Sequence, residues 1–323
     1  MQVLAAFPDG VRRSDAQLDL DAAARDLWPG GTLDMWQGRE LQRPASVCWP
    51  SDEDQVLKVL EWASETRTDV VPYGAGSGVC GGAAGRKGSL VVDTKCFNEL
   101  GSPDEDRWTV DAGAGVNGQQ LEDHLNRHGF TLGHSPSSIW CSTVGGWAAA
   151  RSAGQFSSKY GVFEDMVLSV TAVAPGHGVF TVGEDGDAPD GWMPLLLGSE
   201  GTLAVITRVR MRIWPLPETR WLRGYRFSDV ASALRAMRRL MQGELWPAVV
   251  RLYDPVDTRI GGKTKPKNRG SASNRSFLRR LAKRVDRLDS IRKRSLVLPL
   301  SLPGLVNKIF DRAASGCLVV VGW

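Results

Sequence analysis

The sequence has few cysteines, and none of them form the close pairs that bind zinc or make redox disulfides. Its 323 residues include five cysteines, at positions 48, 80, 96, 141 and 317, which are scattered and never arranged as C-x-x-C. An odd number at such spacing argues against the disulfide framework of a small secreted protein. We therefore expect reduced thiols and a cytoplasmic protein.

The sequence also lacks any run of about 18 apolar residues, the length that a membrane-spanning helix needs. Its first residues, MQVLAAFPDGVRRSD, do not place an apolar core after a basic start, so no secretory signal is predicted. With 42% hydrophobic and 24% charged residues, the composition is that of an ordinary globular chain. The length allows one large domain or two.

Basic residues are concentrated in one segment and are not spread over the chain. Residues 259–294 contain 14 Lys or Arg and 2 Asp, although the net charge of the whole chain is only +4. The remainder is therefore acidic, which argues against a nucleic-acid surface over a whole domain. The segment is typical of a solvated insertion; alternatively it contacts an anionic membrane surface, or a substrate with phosphate or acyl groups.

A glycine-rich stretch at residues 70–82, VVPYGAGSGVCGG, follows a short apolar strand. It is not a Rossmann fingerprint, because the third glycine of G-x-G-x-x-G would fall at Val79. It is not a Walker loop either, since no Gly-Lys-Ser/Thr follows. Successive backbone N–H groups in such a loop can still surround a pyrophosphate, so a phosphate-binding loop of another kind is predicted.

Two further stretches are rich in small residues. Residues 134–165 begin HSPSSIWCSTVGGW and continue with the small residues 148–154, and residues 195–207 read LLLGSEGTLAVIT. Small residues let a backbone approach a large flat ligand closely, while hydroxyls and free N–H groups can bind its heteroatoms.

These three stretches, in this order and at this spacing, resemble the PCMH-type (vanillyl-alcohol-oxidase-type) FAD-binding domain of the FAD-linked oxidase superfamily. The resemblance is greatest to the branch of alkyldihydroxyacetonephosphate synthase and the D-lactate and glycolate dehydrogenases. It implies an α+β fold: an N-terminal extension at 1–40, a PCMH-type FAD-binding domain of two subdomains at 41–218, and a partial α/β cap domain at 219–323 with the basic insertion 259–294.

The resemblance also assigns residues to the cofactor and to catalysis. The implied FAD contacts are Pro72, Tyr73, Gly74, Ala75, Gly76, Ser77, Gly78, Ser137, Ser138, Ile139, Trp140, Cys141, Ser142, Thr143, Gly145, Gly146, Ala150, Arg151, Ser152, Ala153, Gly154, Glu200, Gly201, Thr202 and Leu203. Arg251 matches an arginine near the active site of the synthases; the alternative is an edge-strand arginine that faces solvent.

Neither covalent flavin attachment nor a metal site is expected. Relatives that tether FAD often use a histidine near the glycine loop, and residues 70–89 contain none, so we expect non-covalent FAD. His124 and His128 are four positions apart on a predicted helix, but without H-E-x-x-H or an obvious third ligand they do not predict zinc.

The leading functional hypothesis is an FAD-dependent oxidoreductase that oxidises a 2-hydroxy acid or related alcohol by hydride transfer to flavin N5. The alternatives are an alkyldihydroxyacetonephosphate synthase-like flavin transferase of ether-lipid synthesis, with no net redox change, and an inactive FAD-binding fragment. Family members continue beyond the position of Trp323 with catalytic acid/base residues, so we expect a truncated chain or a second chain that supplies the rest.

The expected partner is a small-molecule substrate and not nucleic acid. The further expectations are a homodimer and a cytoplasmic protein, attached peripherally to a membrane if residues 259–294 bind one.

Local patterns predict several elements near the motifs. Alternating apolar residues over 205–213 predict a strand, and Ser51 with Asp54 predicts a capping box at the start of a helix. Nearer the N-terminus, one helix is predicted over residues 15–27, ended by Pro29-Gly30-Gly31.

Overall fold

The computed structural model describes residues 6–258 and 316–322 of the chain. The chain divides into two compact units, Met1–Glu218 and Thr219–Trp323. Both units combine helices with sheets, so the predicted α+β class is confirmed. The basic segment 259–294 lies outside the described residues, and the expectations attached to it stay predictions. In the part of the chain that is described, no helix has the length and apolar character needed to cross a bilayer.

The first sheet of the N-terminal unit has four strands in the order β1-β2-β4-β3. These strands are β1 (Arg12–Ser14), β2 (Ser46–Trp49), β3 (Val70–Tyr73) and β4 (Leu90–Asp93). Strand β4 lies parallel to β2 and β3, and β1 runs antiparallel to β2. Helix α3 (Glu53–Thr66) connects β2 to β3 and buries the apolar face that its sequence predicts, formed by Val56, Val59, Leu60 and Ala63.

The segment between β1 and β2 forms two helices where the sequence predicts one. Helix α1 (Gln17–Ala23) ends early, and α2 (Pro29–Trp36) begins at the proline that was expected to end the helix. Proline is favoured in a first helical turn because its missing N–H would have no intrahelical acceptor there. The start of α3 also differs by one residue, since Asp52 caps it by accepting a hydrogen bond from the Gln55 N–H at 2.8 Å.

The second sheet of this unit is antiparallel, with the order β5-β9-β7-β8. Its strands are β5 (Thr109–Gly113), β7 (Val167–Ala174), β8 (Gly178–Gly183) and β9 (Val205–Arg212). In β9, Val209 and Met211 are buried and Arg208 and Arg212 are exposed, as the alternation predicts. Strict alternation would place Ile206 on the same face as Arg208, but Ile206 is buried, because a β-bulge in the pairing with β7 breaks the alternation there.

The largest core of the unit lies between this second sheet and short helices. They are α4 (Gly118–Arg127), α5 (Val144–Ala149), α6 (Ser157–Tyr160), α7 (Phe163–Met166) and α8 (Met193–Leu196), with α6 at the edge of the core. A two-stranded ribbon, β6 (Phe130–Thr131) with β10 (Trp214–Pro215), completes the unit. Trp147 and Phe163 pack edge to face inside this core, with ring centroids 5.4 Å apart.

The described residues of the second unit include a three-stranded antiparallel sheet and a helix that packs on it. The strands are β11 (Leu222–Phe227), β12 (Val249–Tyr253) and β13 (Cys317–Gly322), in the order β11-β13-β12. Helix α9 (Val230–Gln242) is capped by Asp229, which accepts a hydrogen bond from the Ser232 N–H at 2.7 Å. Its apolar face packs on Cys317, Val319 and Val321 of the central strand, so this unit has a core of its own.

Helix α5 approaches the chain after β5 so closely that one glycine is required. A Cβ built at Gly145 would lie 2.6 Å from the Ala114 Cβ and 3.0 Å from the Ala114 carbonyl oxygen. The Gly145 N–H donates a hydrogen bond to that same oxygen at 2.8 Å. The helix therefore cannot move away to admit a side chain without losing this bond.

We expect Gly145→Ala to lower the free energy of unfolding by roughly 1–3 kcal/mol, because the added methyl group overpacks a buried contact. Gly31→Ala is the matched control, since a Cβ at Gly31 in α2 has no neighbour within 4 Å. Alanine there should raise stability by about 0.5–1 kcal/mol through its better helix propensity. Urea unfolding measures both values; equal effects of the two substitutions would contradict the packing argument.

Candidate functional site

Three segments that are far apart in the sequence meet around one cavity of about 390 Å³ in the first unit. They are the glycine loop that follows β3, the residues at the two ends of α5, and the loop that leads into β9. The volume lies within the range of roughly 300–1,000 Å³ that is usual for small-molecule sites. The cavity thus gathers the three stretches on which the sequence-based prediction rests.

The glycine loop supplies unpaired backbone donors to this cavity. Among the described residues, the N–H groups of positions 75–79 have no hydrogen-bond acceptor in the protein. Gly76 has a φ of +62°, a left-handed conformation that glycine adopts without strain. Successive N–H groups freed by such a turn can converge on an anion, so this loop can bind a phosphate group through its backbone.

The loop and the two other segments touch at glycines that have no room for a side chain. A Cβ at Gly74 would lie 2.4 Å from the Thr143 hydroxyl oxygen at the start of α5. A Cβ at Gly201, which has a φ of +78°, would lie 2.7 Å from the Pro72 ring. At these two positions a glycine lies directly against a neighbouring side chain, so the three segments pack closely around the cavity.

Backbone hydrogen bonds attach the loop before β9 to the end of α5. The Gly198 N–H donates to the Ala148 carbonyl at 3.0 Å, and the Glu200 N–H donates to the Ala149 carbonyl at 2.9 Å. Glu200 has a φ of +51°, which is rare for a residue with a side chain, and its side chain forms part of the cavity wall. The loop is therefore held in one position relative to α5.

The predicted cofactor residues divide into two groups. Those that line the cavity are Pro72, Tyr73, Gly74, Ala75, Gly76, Ser77, Gly78, Ser138, Thr143, Gly145, Gly146, Ala150, Ser152, Glu200 and Gly201. Those that do not line it are Ser137, Ile139, Trp140, Cys141, Ser142, Arg151, Ala153, Gly154, Thr202 and Leu203. The glycine loop lies along the wall over its whole predicted length, whereas helical and turn segments present only one side to the cavity.

The Ser142 hydroxyl, which the sequence suggested as a flavin contact, is used inside the protein. It is 2% exposed, donates a hydrogen bond to the Ser138 carbonyl at 2.8 Å, and accepts one from the Trp147 indole N–H at 2.8 Å. Its single proton is therefore already donated, and its role is to satisfy a buried indole.

Arg151, which the resemblance assigns to the cofactor, forms an ion pair and hydrogen bonds within the protein. Its Nε lies 2.9 Å from the Glu164 carboxylate and donates to the Leu197 carbonyl at 2.8 Å. Its Nη2 donates to the Pro194 carbonyl, also at 2.8 Å. Arg151, which has a φ of +47°, therefore links the end of α5 to the segment before β9 through these hydrogen bonds.

Several residues that line the cavity were not predicted. They are Asp26, Val79, Cys80, Gly82, Ala83, Thr94, Trp147, Ala149, Ala204, Val205 and Ile206. Most adjoin a predicted segment and could have been found by extending it. Asp26 had no such signal: it belongs to the predicted N-terminal extension, and its carboxylate accepts a hydrogen bond from the Gly81 N–H at 2.7 Å.

The charged side chains that line the described cavity are both acidic, Asp26 and Glu200, and no Lys, Arg or His is among them. Lys95 is close to the loop, but its ammonium donates to the Gly74 carbonyl at 2.9 Å and pairs with Asp93. An anion in the cavity would therefore be bound by backbone N–H groups, and the two carboxylates are available to accept hydrogen bonds from hydroxyl or amino groups.

A buried histidine lies behind the cavity wall. His134 is 2% exposed and packs against Trp147 and Phe163, with ring centroids 4.6 and 5.2 Å away. Burial lowers the pKa of His134 to about 4, so the imidazole is neutral at pH 7. Its Nε2 lies 3.1 Å from the Ser152 hydroxyl, and its Nδ1 has no hydrogen-bond partner among the described residues.

A larger groove, of about 660 Å³, lies on the polar face of the second sheet and is lined by four carboxylates and two arginines. Arg210 pairs there with Asp111 at 3.1 Å and with Asp185 at 3.0 Å. The groove has no counterpart to the free N–H groups of the glycine loop, so it is the weaker candidate. Within the described ranges, no group of three or more His, Cys, Asp or Glu side chains is arranged to bind a metal ion.

The predicted catalytic residue Arg251 belongs to the second unit. It is an exposed residue of β12, and its guanidinium carbon lies 5.1 Å from the ring centroid of Tyr253 on the same face of the strand. Leu252, between them, packs in the core with α9 on the other face. This position fits an edge-strand arginine and a substrate contact equally well, so the catalytic assignment stays a prediction.

Comparison with known proteins identifies the domain that contains the cavity. Residues 44–183 match the family described as FAD binding domain. An alkyldihydroxyacetonephosphate synthase of Trypanosoma brucei brucei is 32% identical over 266 residues, 79% of this chain and 43% of the synthase. A D-lactate dehydrogenase of Archaeoglobus fulgidus is 37% identical over 172 residues, 52% of this chain and 38% of the dehydrogenase.

A solved structure gives the same result for the fold. The structure of an alkyldihydroxyacetonephosphate synthase superposes with a TM-score of 0.75 at 25% sequence identity, over 96% of this chain and 53% of the synthase. The resemblance inferred from sequence and the PCMH-type fold are thereby confirmed. The chain spans about half the length of these relatives, or less.

We expect His134 to make stability depend on pH below about 6.5, the ordinary pKa of histidine. The unfolded chain binds a proton in that range and the folded chain does not until about pH 4, so the unfolding free energy falls as the pH falls. The loss approaches about 1.4 kcal/mol per pH unit. Urea unfolding of wild type and His134→Phe at several pH values measures the difference; identical pH dependence would contradict a neutral buried His134.

Proposed function

We propose, on the premise that residues 44–183 are an FAD-binding domain, that this chain binds FAD non-covalently in the cavity of its first unit. We further propose that the bound cofactor serves an FAD-dependent enzyme. The observation that carries this proposal is the convergence of three small-residue segments on one cavity, with the unpaired N–H groups of positions 75–79 on its wall.

The residues that line the cavity suit the chemical groups of FAD. The N–H groups of the glycine loop are suited to bind the pyrophosphate. No positively charged side chain is among the residues that line the described cavity, so these N–H groups are its main donors to an anion. Asp26 and Glu200 can accept hydrogen bonds from ribose hydroxyls or an amino group. Ala149, Ala150 and part of Trp147 form an apolar wall for a flat ring. Bound FAD would supply a two-electron acceptor, which the side chains of the protein do not provide.

The side chains available support the proposal of non-covalent binding. No histidine is among the residues that line the described cavity, and Cys80 is the thiol on its wall. Cys80 is exposed, as are Cys96 and Cys141, and nothing in its surroundings marks it for attachment to the flavin. We therefore propose that no covalent bond joins the chain to the cofactor.

Two reactions are candidates for the whole enzyme. One is the oxidation of a 2-hydroxy acid or related alcohol, in keeping with the similarity to a D-lactate dehydrogenase over 172 residues. The other is a synthase-like transfer, in which an acyl chain of acyl-dihydroxyacetonephosphate is exchanged for a fatty alcohol without net redox change. The second reaction is favoured because the similarity to the synthases extends over more of the chain. It covers 266 residues in sequence and 96% of the chain in structure, and therefore includes the second unit.

The visible absorption spectrum of the purified chain tests cofactor binding. We expect a flavin band that appears in the supernatant after acid precipitation, because nothing tethers the cofactor. Gly74→Val should abolish the band, since any side chain at this position meets the Thr143 hydroxyl. Gly31→Val, where a Cβ has open space, is the control. Colour in the pellet would contradict non-covalent binding, and a wild-type chain that takes up no FAD would refute the proposed function.

Arg251→Ala tests the catalytic assignment. The FAD-loaded chain is assayed for dye reduction with D-lactate or glycolate and for fatty-acid release from acyl-dihydroxyacetonephosphate. In the assay that wild type passes, the variant should be at least about a hundredfold slower, the usual cost of losing one charge-stabilising group. FAD binding should be unchanged, as it should be in the control Arg238→Ala on the exposed side of α9. Wild-type turnover by Arg251→Ala would refute the assignment; no activity of wild type would favour the inactive fragment.

A further inference from the structure

One hydroxyl on the cavity wall is held from behind by a buried imidazole. Ser152 lines the cavity, and its Oγ lies 3.1 Å from Nε2 of His134. His134 itself does not line the cavity and is enclosed by Trp147 and Phe163. The Ser152 backbone is also fixed, since its N–H donates to the Trp147 carbonyl and its carbonyl accepts from the Phe163 N–H, both at 3.0 Å.

The unpartnered nitrogen of His134 decides which group is the donor. A neutral imidazole carries one proton, on either Nδ1 or Nε2. A proton on Nδ1 would leave a buried N–H group without an acceptor, which is rarer and more costly than an unused acceptor lone pair. The proton therefore belongs on Nε2, which donates to the Ser152 hydroxyl oxygen. The Ser152 proton then remains free for an acceptor on the cavity side.

We propose that the Ser152 hydroxyl donates a hydrogen bond to a ring heteroatom of the flavin, and that His134 is the positioning residue that holds this hydroxyl in place through its Nε2–H. The inference rests on the proposed function, because it requires FAD in the cavity. It assigns to His134, which touches no ligand itself, a part in setting the redox properties of the cofactor.

The neighbours of Ser152 favour the ring over the pyrophosphate as the acceptor. Ala149 and Ala150 precede it on the same wall, together with Trp147, and an apolar surface of this kind suits a flat aromatic ring. The glycine loop already offers its own N–H groups to phosphate oxygens. A hydrogen bond to a flavin heteroatom tunes the electronic properties of the ring, and it favours the reduced form where electron density on that atom increases.

The test compares Ser152→Ala with wild type after both are loaded with FAD. We expect a shifted visible flavin spectrum, a lower reduction potential and roughly 3- to 10-fold weaker FAD binding, because one hydrogen bond is lost. Ser64→Ala, at an exposed position of α3, is the control and should change none of these. The readouts are the spectrum, an equilibrium dye titration for the potential, and a fluorescence titration for affinity; none requires turnover.

Two substitutions of His134 separate its positioning role from packing. His134→Gln keeps an amide N–H near the place of Nε2, so its spectrum and potential should stay closer to those of wild type. His134→Phe keeps an apolar ring beside Trp147 and Phe163 but removes the donor, so it should reproduce the spectrum and potential of Ser152→Ala. Urea unfolding confirms that each variant is folded before the spectra are compared.

Each outcome is decisive. A matching spectral and potential shift in Ser152→Ala and His134→Phe, reduced in His134→Gln, supports the proposal. Weaker FAD binding without a spectral or potential shift would place the hydroxyl against another part of the cofactor and overturn the proposal. No change in Ser152→Ala would also overturn it. In that case FAD binding by the wild-type chain would still support the proposed function. A wild-type chain that binds no FAD would refute both.

Discussion

The candidate site depends on the close packing of three segments at glycine positions, where a side chain would not fit. Gly74 lies against the Thr143 hydroxyl, and Gly201 lies against the Pro72 ring, each at a distance that excludes a Cβ. These contacts join the loop after β3, the start of α5 and the loop before β9. The unpaired N–H groups of positions 75–79 in the first of these segments can bind an anion that the acidic side chains of the lining would otherwise repel.

Behind this wall, buried polar groups determine which hydroxyls face the cavity. The Trp147 indole N–H donates to the Ser142 hydroxyl, which in turn donates its proton to the Ser138 carbonyl, so the Ser142 proton is not available to a ligand. His134 donates its Nε2–H to the hydroxyl oxygen of Ser152, so the hydroxyl proton of Ser152 stays free. Two serines in the same predicted segment thus have opposite roles, and the difference lies in which aromatic side chain stands behind each of them.

Regular elements were predictable wherever one local pattern decided them. The apolar face of α3 and the buried positions Val209 and Met211 in β9 agree with simple periodicity. The failures have local causes of a different kind. Pro29 was predicted to end a helix, but it lies in the first turn of α2. Strict alternation would place Ile206 on the face of Arg208, and the β-bulge that buries it cannot be recognised from the alternation itself.

The resemblance of the sequence to a known family was enough to predict the fold class and the FAD-binding domain. The glycine loop, 72–78, was predictable from the residues themselves, since small size and tolerance of positive φ are properties of single residues. Only the tertiary structure decided which other residues reach the cavity. Arg151 does not line the cavity and pairs with Glu164. Asp26, from a segment distant in sequence, lines the cavity and accepts a hydrogen bond from the Gly81 N–H. Such roles depend on hydrogen-bond partners that the fold brings together over long sequence separations, and no local pattern contains them.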